Sequence, residues 1–429
     1  MFRNGSRVVV WAILAAAAFA QTGPLQLRVS ENGRYFLRGG QPFFWMGDTV
    51  WSIVNRYTQE EAAFYMEQRR TQGFNVLNVM LIFNGGPGLK TAMADQEGET
   101  PFLDMNPATP NDRYFRNVDR LVAQARQTGF TLAVLACGGS SGSFVNVQKI
   151  LTAGNARAYG RWLGRRYRDN PNIVWVNGFD LMPWQYEEVA REFAAGLQEG
   201  DGGAHLITYH PAGGGTSSYF HHESWLAANT IQTWADFTRI YPMVFADYLR
   251  LPPKPVIMAE GAYEDGPEYS TRPITPLVVR QQAWWSYLAG GFHTYGHNDM
   301  WRKNPGWRES LHAPGAGHMT VLKNVFAARK WWRYAPDQSV FALGAGGGKI
   351  LNAAARSADG DGIMVYLSNP ATVSLRLEKI TAAASVRATW VNPETGERTA
   401  AGVMPNRGIR VFTTPPSRTD ALLLLDAVR

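Results

Sequence analysis

Two acidic residues each stand just after a short apolar run, at the position where parallel strands present catalytic groups. Asp180 follows the run at residues 173–176, and Glu260 follows the run at residues 256–259. Paired carboxylates are the minimum set for cleaving a glycosidic bond, because one protonates the departing oxygen while the other attacks carbon or activates water. Two structural explanations compete with this one. Asp180 could cap the helix that begins near Trp184, and Glu260 could pair with a nearby Arg or Lys.

Further polar and aromatic residues follow the other apolar runs. The second run gives Asn84, and the candidates for sugar contact are Asp48, Trp51, His210, Trp234, Glu264, Tyr295 and His297. Each of these could equally be structural, because barrel rims also contain polar groups that need hydrogen-bond partners. Glu264 is also an alternative catalytic partner, since it follows Glu260 by one helical turn.

The signatures of other catalytic classes are missing from the sequence. There is no HExxH pattern, the eight His are spread over different strand ends, and Cys137 is the single cysteine. We therefore expect no metal and no cofactor. We expect Cys137 to be a small buried residue, not a catalytic thiol. A phosphate loop and a Gly-x-Ser-x-Gly elbow are also lacking. The net charge of +7 is scattered without a basic run, which argues against a nucleic-acid partner.

The elements that must position these residues alternate between short β-rich runs and helical patterns. Eight runs occur in the main part of the chain, at residues 43–47, 76–82, 131–136, 173–176, 205–209, 230–233, 256–259 and 292–295. Eight strand–helix units predict an α/β fold, a (β/α)8 TIM barrel. A doubly wound open sheet is the alternative, but it usually carries a Gly-rich turn after its first strand. The first run instead ends in Gly47-Asp48-Thr49.

The two ends of the chain differ from this pattern. Arg3 and Arg7 precede an apolar run at residues 8–19, which predicts a cleaved signal peptide over residues 1–20 and an exported protein. The barrel domain then covers residues 21–335 and begins with a hairpin around Asn32-Gly33. Short strands separated by turns predict an all-β sandwich over residues 336–429. No later stretch is long and apolar enough for a membrane span.

Several stretches together resemble the apiosidase-like glycoside hydrolases, also known as DUF4038-type domains. They are residues 41–51 (QPFFWMGDTVW), 71–76 (TQGFNV), 172–180 (NIVWVNGFD), 208–211 (TYHP), 254–260 (KPVIMAE) and 289–296 (AGGFHTYG). The C-terminal part, with WVNPETG at 390–396, is similar to a domain family named for collagen binding, although its composition does not point to collagen. The resemblance implies family 140-like chemistry, with Asp180 as acid/base and Glu260 as nucleophile. It also implies an apiosyl linkage in pectic polysaccharide, in particular rhamnogalacturonan II, as substrate.

Two positions depart from the family pattern and put bulk near the expected substrate. Phe179 stands where the family usually has Gly, and Trp234 stands in a stretch that usually reads Gln-Ser-Gly-His. The main hypothesis is a retaining, exo-acting glycosidase with an oligo- or polysaccharide substrate. A glycosidase of the same barrel type acting on another glycan is a second hypothesis. A non-catalytic carbohydrate-binding or adhesion protein is the third.

Overall fold

A computed structural model describes residues 25–83, 93–136, 150–178, 180–266 and 274–428. The predicted signal peptide at residues 1–20 lies outside the described residues, as do Asn84, Cys137 and Phe179.

Three short antiparallel strands precede the barrel: β1 (Leu27–Val29), β2 (Phe36–Arg38) and β3 (Gln41–Phe43). This small sheet lies against the loops that enter the barrel strands. The Arg38 guanidinium donates to the Gly129 carbonyl at 3.0 Å. Gly33, at φ +69°, approaches Pro253 so closely that a Cβ would lie 2.2 Å from the Pro253 oxygen. The sheet therefore covers the end of the barrel opposite the carboxyl ends of its strands.

Eight parallel strands form the nearly closed barrel and confirm the predicted TIM-like fold. In chain order they are β4 (Met46–Thr49), β5 (Val76–Met80), β6 (Thr131–Leu135), β7 (Ile173–Gly178), β8 (Ile207–His210), β10 (Asn229–Gln232), β11 (Val256–Glu260) and β12 (Phe292–Tyr295). Every residue of these strands is buried. Apolar runs without polar alternation form such strands because helices cover the outer face and side chains fill the interior. A two-residue strand, β9 (Gly215–Thr216), pairs antiparallel with β10.

Helices follow most of the barrel strands, as the sequence predicts. They are α1 (Ile53–Arg56), α2 (Gln59–Thr71), α3 (Asp112–Gln127), α4 (Ala153–Tyr167), α5 (Glu187–Asp201), α6 (Ile240–Tyr248), α7 (Pro276–Leu288), α8 (Asn298–Arg302), α9 (Trp307–Ser310) and α10 (Pro314–Ala327). A capping box starts α2, because the Thr58 hydroxyl accepts from the Glu61 amide while the Glu61 carboxylate accepts from the Thr58 amide. Between β8 and β10, a 3-10 helix at Ser217–Phe220 takes the place of an α-helix.

The barrel closes between β8 and β10 through contacts outside the regular strand ladder. The Ala227 amide donates to the Ile207 carbonyl at 2.8 Å. The Thr208 hydroxyl donates to the Ala228 carbonyl at 2.8 Å, and the Thr230 hydroxyl donates to the Tyr209 carbonyl. Two threonine hydroxyls thus join strands that would otherwise be the free edges of the sheet.

The C-terminal region consists of two antiparallel sheets. One sheet contains β13 (Tyr334–Pro336), β15 (Ala353–Ser357), β16 (Gly362–Leu367), β21 (Ala421–Val428), β18 (Ser385–Val391) and β19 (Arg398–Pro405), and the other contains β14 (Phe341–Leu343), β17 (Thr372–Arg376) and β20 (Ile409–Thr413). Apolar residues from both sheets, including Val365, Leu375 and Leu423, form a second core.

This C-terminal region packs on α7 of the barrel. Arg280 forms a buried ion pair with Asp420 at 2.8 Å, and Tyr366 donates a hydrogen bond to the same carboxylate. The Trp284 ring stacks on the Tyr366 ring with centroids 5.6 Å apart. Buried charges need partners of this kind, and the apolar contacts around them are continuous with the barrel core. The barrel and the C-terminal sheets therefore share one packed interface.

The threonine closure gives a test of barrel stability. We expect Thr208→Val and Thr230→Val each to lower the free energy of unfolding by about 1–3 kcal/mol, because each leaves a buried carbonyl without its donor. The matched control is Thr131→Val, since the buried Thr131 hydroxyl has no hydrogen-bond partner among the described residues. Denaturant unfolding measures all three variants. Equal stability of the Thr208 and Thr131 variants would show that the closure does not depend on these hydroxyls.

Candidate active site

Asp180 and Glu260 lie at the carboxyl ends of barrel strands from opposite sides of the barrel mouth. Glu260 is the last residue of β11, and its carboxylate side chain is 8% exposed. Its backbone carbonyl accepts a hydrogen bond from the Thr233 amide at 3.0 Å. Asp180 stands two residues beyond β7, in a left-handed backbone conformation with φ +47°. A residue in this conformation turns the chain sharply where it leaves the strand.

The electrostatics of Asp180 show that these two carboxylates share one pocket. The pKa of Asp180 is raised to about 6, first by burial and second by the negative charge of Glu260. The nearby His210 and a hydrogen bond with Gln232 act against this rise. The Asp180 carboxyl is therefore about half protonated at pH 6 and increasingly protonated below it. The structure thus brings together the two residues that the sequence predicted as a catalytic pair.

His210, the last residue of β8, lies beside Glu260. Its Nε2 is 3.4 Å from a Glu260 carboxylate oxygen, and its Nδ1 is 3.1 Å from the Pro211 carbonyl. Because a carbonyl can only accept, Nδ1 carries a hydrogen. The imidazole is buried, so when both ring nitrogens are protonated its positive charge acts on Glu260 with little screening. This sequence-predicted residue therefore contacts the candidate nucleophile.

An aromatic wall lies next to His210. The Trp51 ring meets the His210 ring edge-on, with centroids 5.6 Å apart. The Trp51 indole N–H donates to the Tyr263 hydroxyl at 2.8 Å, and the Tyr263 ring lies 6.1 Å from the Trp301 ring. Trp51 was a predicted site residue, whereas Tyr263 was not among the candidates. Its position three residues after Glu260 is the signal that could have identified it.

Gln232 is a further site residue that the residue types alone did not single out. It ends β10, and a bulge between Ile231 and Gln232 brings it into register with Glu260 of the next strand. Its side chain hydrogen-bonds to Asp180. A bulge changes the side of the sheet to which the following side chains point, and a sequence pattern does not reveal this change. Gln232 therefore lies between the candidate nucleophile, which is on the neighbouring strand, and the candidate acid.

The turn after Glu260 is fixed from outside the pocket. The Gln282 side chain of α7 accepts from the Ala262 amide at 2.8 Å and donates to the Ala262 carbonyl at 3.0 Å. Gly261 fits between them, because a Cβ there would lie 2.2 Å from the Gln282 oxygen. Asn78 of β5 approaches the backbone of the same strand, at 3.4 Å from the Ala259 carbonyl. These contacts restrict the backbone that carries Glu260.

Asp48 lies outside this group, contrary to the prediction of a sugar contact. It is fully buried and forms an ion pair with Arg69 at 2.5 Å, while Tyr65 donates a hydrogen bond to the same oxygen. A buried carboxylate needs such a partner, because an unpaired charge in the interior is strongly destabilising. We therefore assign Asp48 a structural role in holding α2 against β4.

Glu264 and Tyr295 also lie in a buried network and not in the pocket. The Glu264 carboxylate accepts from the Gly315 amide at 3.0 Å and from the Tyr295 hydroxyl at 2.5 Å. Both of its oxygens are engaged, so it is not positioned as the alternative catalytic partner. His297 is likewise buried; its Nδ1 accepts from the Asp299 amide at the start of α8, and its Nε2 is 3.5 Å from Asp265. We assign these three residues structural roles.

Trp234 is the remaining predicted site residue, and it lies at the rim. It stands two residues beyond β10 with φ +50°, and 45% of its surface is exposed. Trp234, which departs from the usual family sequence, is thus an exposed indole two residues after Gln232.

The described residues contain no group of three or more His, Cys, Asp or Glu that could hold a metal ion. Among the same residues, no helix has the length and hydropathy needed to cross a bilayer.

Comparisons with known proteins place this site in a family. The family described as "Apiosidase-like, catalytic domain" matches residues 30–333, and "Putative collagen-binding domain of a collagenase" matches residues 335–426. No curated protein matches the chain.

Two solved structures of glycoside hydrolases are similar to this chain over nearly its whole length. A glycoside hydrolase family 5 protein from Bacteroides vulgatus is 27% identical, with a TM-score of 0.83 over 94% of this chain and 95% of its own. A second structure, described as a glycoside hydrolase, is 28% identical, with a TM-score of 0.82 over 94% of this chain and 98% of its own. The family match spans most of the chain and includes both carboxylates. The chain belongs to the apiosidase-like family and is a glycoside hydrolase.

Proposed function

We propose that the protein is a retaining glycosidase in which Asp180 is the general acid and base and Glu260 is the nucleophile. The observation that carries this proposal is the raised pKa of Asp180, caused by burial and by the charge of Glu260. A catalytic pair of this kind needs one carboxyl that can donate a proton, and the raised pKa of Asp180 suits that residue to the role. Asp180 holds a proton near pH 6 while Glu260 faces His210.

The proposed reaction has two steps. In the first, a Glu260 oxygen attacks the anomeric carbon while Asp180 donates its proton to the departing glycosidic oxygen, which leaves as an alcohol. Glu260 is then covalently bound to the sugar, and Asp180 is a carboxylate. In the second, Asp180 removes a proton from water, whose oxygen displaces Glu260 and releases the sugar. Loss of the Glu260 charge in the intermediate lowers the pKa of Asp180, which favours its role as base.

The neighbouring side chains orient the two carboxylates. Gln232 hydrogen-bonds to Asp180, and His210 places positive charge next to Glu260 when both ring nitrogens are protonated. Trp51 packs on the His210 ring and limits its rotation. Such contacts fix reacting groups in place before the substrate binds, which reduces the reorganisation that the reaction needs.

The substrate that we propose is an apiosyl linkage in a pectic polysaccharide, on which the enzyme acts from a chain end. The membership in the apiosidase-like family supports this substrate class. We also propose that the protein is exported, because Arg3 and Arg7 followed by the apolar residues 8–19 form a signal-peptide pattern.

Substitution of the two carboxylates tests their roles. We expect Asp180→Asn to lower kcat/KM on a pectic glycan by about 10²–10⁴-fold, which is the usual contribution of general acid catalysis. The loss should be much smaller on a dinitrophenyl glycoside, because that leaving group needs no proton. Azide should then restore turnover and give a glycosyl azide, and Glu260→Gln should abolish turnover of both substrates.

The control for these variants is Asp236→Asn, which changes an exposed carboxylate on the same face of the barrel. It should keep wild-type activity, and circular dichroism should show that all three variants fold. Full activity of Asp180→Asn or of Glu260→Gln on the pectic glycan would disprove the assignment.

The pH dependence follows from the pKa of Asp180. Because the acid form must donate a proton and its pKa is about 6, kcat/KM should fall tenfold per pH unit above that value. Glu260→Gln removes one of the charges that raise this pKa, so the Asp180 carboxyl should titrate at lower pH in that variant. Carbon-13 NMR of labelled aspartate measures this titration directly. An unchanged titration would mean that the two groups do not interact.

Product analysis tests the sugar and the stereochemistry together. Proton NMR of a digest of pectic polysaccharide should show apiose released with the same anomeric configuration that it had in the substrate. The physical reason is that two successive displacements at one carbon restore the original configuration. An inverted first product would show that water attacks directly. A different released sugar would leave the mechanism intact and change the substrate.

A further inference from the structure

Two tryptophans at the barrel mouth are exposed, although large aromatic side chains normally gain from burial. Trp184 is 60% exposed and lies in the loop between β7 and α5. Trp234 is 45% exposed and lies just beyond β10. Both loops leave the carboxyl ends of barrel strands, so both indoles lie on the face that carries Asp180 and Glu260.

A glycine turn lies between the two tryptophans. Residues 213–215 are three glycines, and the Gly214 amide donates to the Gln232 carbonyl at 2.8 Å. A Cβ on Gly213 would lie 3.2 Å from the Trp234 Cβ, and one on Gly215 would lie 2.9 Å from the Met182 sulfur. Met182 is two residues before Trp184. The turn therefore has no side chains of its own, and a tryptophan-bearing loop flanks it on each side.

Local structure fixes the backbone at both tryptophans. Trp184 belongs to the 3-10 turn Pro183–Gln185, in which the Gln185 side chain accepts from the Met182 amide at 3.1 Å. The Gln185 amide in turn donates to the Met182 carbonyl at 2.9 Å. Trp234 has φ +50°, a conformation that glycine adopts easily and that other residues adopt only when the surroundings impose it. A bulky exposed residue at such a position indicates a role other than folding.

Both tryptophans are linked to the candidate acid, one along the chain and the other through Gln232. Trp184 follows Asp180 by four residues along the same loop. Trp234 follows Gln232 by two residues, and Gln232 hydrogen-bonds to Asp180. The acid of a glycosidase contacts the oxygen of the leaving group, so groups that surround the acid face the leaving group and not the sugar that reacts with Glu260.

We propose that Trp184, residues 213–215 and Trp234 form a leaving-group platform that binds the sugar residue released with the departing oxygen. This proposal rests on the proposed function and deepens it, because it makes the natural leaving group a saccharide. The apolar C–H face of a sugar ring can lie on an indole, and the glycine turn places no side chain between the two indoles. The substrate class is then an oligo- or polysaccharide, not a glycoside of a small alcohol.

Two substrates distinguish an effect on leaving-group binding at the platform from an effect on the chemical step at Asp180 and Glu260. The first is a pectic oligosaccharide, whose leaving group is a sugar. The second is the glycosyl fluoride of the sugar that the wild-type enzyme releases, whose leaving group is only fluoride. We expect Trp184→Ala and Trp234→Gly each to lower kcat/KM on the oligosaccharide by about tenfold or more, through KM, with hydrolysis of the fluoride unchanged within about twofold. Glycine suits the φ of residue 234, so Trp234→Gly should fold normally.

The matched control is Phe64→Ala, which removes another exposed ring. Phe64 is 37% exposed and lies on α2, where it packs beside Trp307 and Arg308 and not beside the three segments of the platform. This variant should match wild type on both substrates. Equal oligosaccharide kinetics for wild type and both tryptophan variants would disprove the platform, as would an equal loss on the fluoride.

A binding measurement tests the platform independently of whether the proposed catalytic function is right. The inactive Glu260→Gln protein is titrated with the same oligosaccharide by calorimetry, with and without each tryptophan substitution. Weaker binding by about tenfold in the tryptophan variants supports the platform, and unchanged affinity overturns it. A wild-type enzyme that cleaves no saccharide overturns the proposed function, whichever way the binding result falls.

Discussion

The site depends on the closure of the barrel between its fifth and sixth strands. Asp180 and His210 belong to one edge of the sheet, whereas Gln232 and Glu260 belong to the other. Only when β8 meets β10 can His210 come within 3.4 Å of Glu260. The closure uses two threonine hydroxyls and one backbone hydrogen bond in place of a regular ladder. Strand order alone would give an open sheet with the catalytic groups at opposite edges, so these few bonds bring the groups together.

Burial at the closed barrel mouth also affects the electrostatics, because Glu260 is almost fully buried and Asp180 is partly buried. A partly buried acid beside a second acid is harder to ionise, and for this reason the pKa of Asp180 rises. His210 lies 3.4 Å from a Glu260 oxygen, whereas Gln232 adjoins Asp180. Two chemically similar groups thus have different surroundings, which is consistent with the different roles that we propose for them. The same principle keeps Asp48 out of the chemistry, since its charge is paired with Arg69 in the interior.

The sequence predicted the barrel and a pair of acidic residues at its mouth because both depend on short-range patterns. Apolar runs predict buried parallel strands, and the residue that ends each strand lies at the mouth. The same rule failed for Asp48, Glu264 and Tyr295, because it places a residue at the rim without saying whether its side chain faces the pocket or the helices. Gln232 was missed because its facing depends on a bulge, and Tyr263 because its role depends on contact with Trp51. Both are tertiary effects that one-dimensional patterns do not contain.

Two residues at the barrel mouth adopt backbone conformations that lower the stability of the fold. Asp180 and Trp234 both adopt left-handed conformations, which cost roughly 1–2 kcal/mol for a residue with a side chain. At Asp180 this conformation turns the chain directly after β7, so that the carboxylate lies beside Glu260. At Trp234 the same conformation holds an indole in solvent, where it gains little from burial. Neither arrangement helps the chain to fold. Strain at two positions joined through Gln232 is therefore better explained by one binding surface that runs from the acid to the exposed indole.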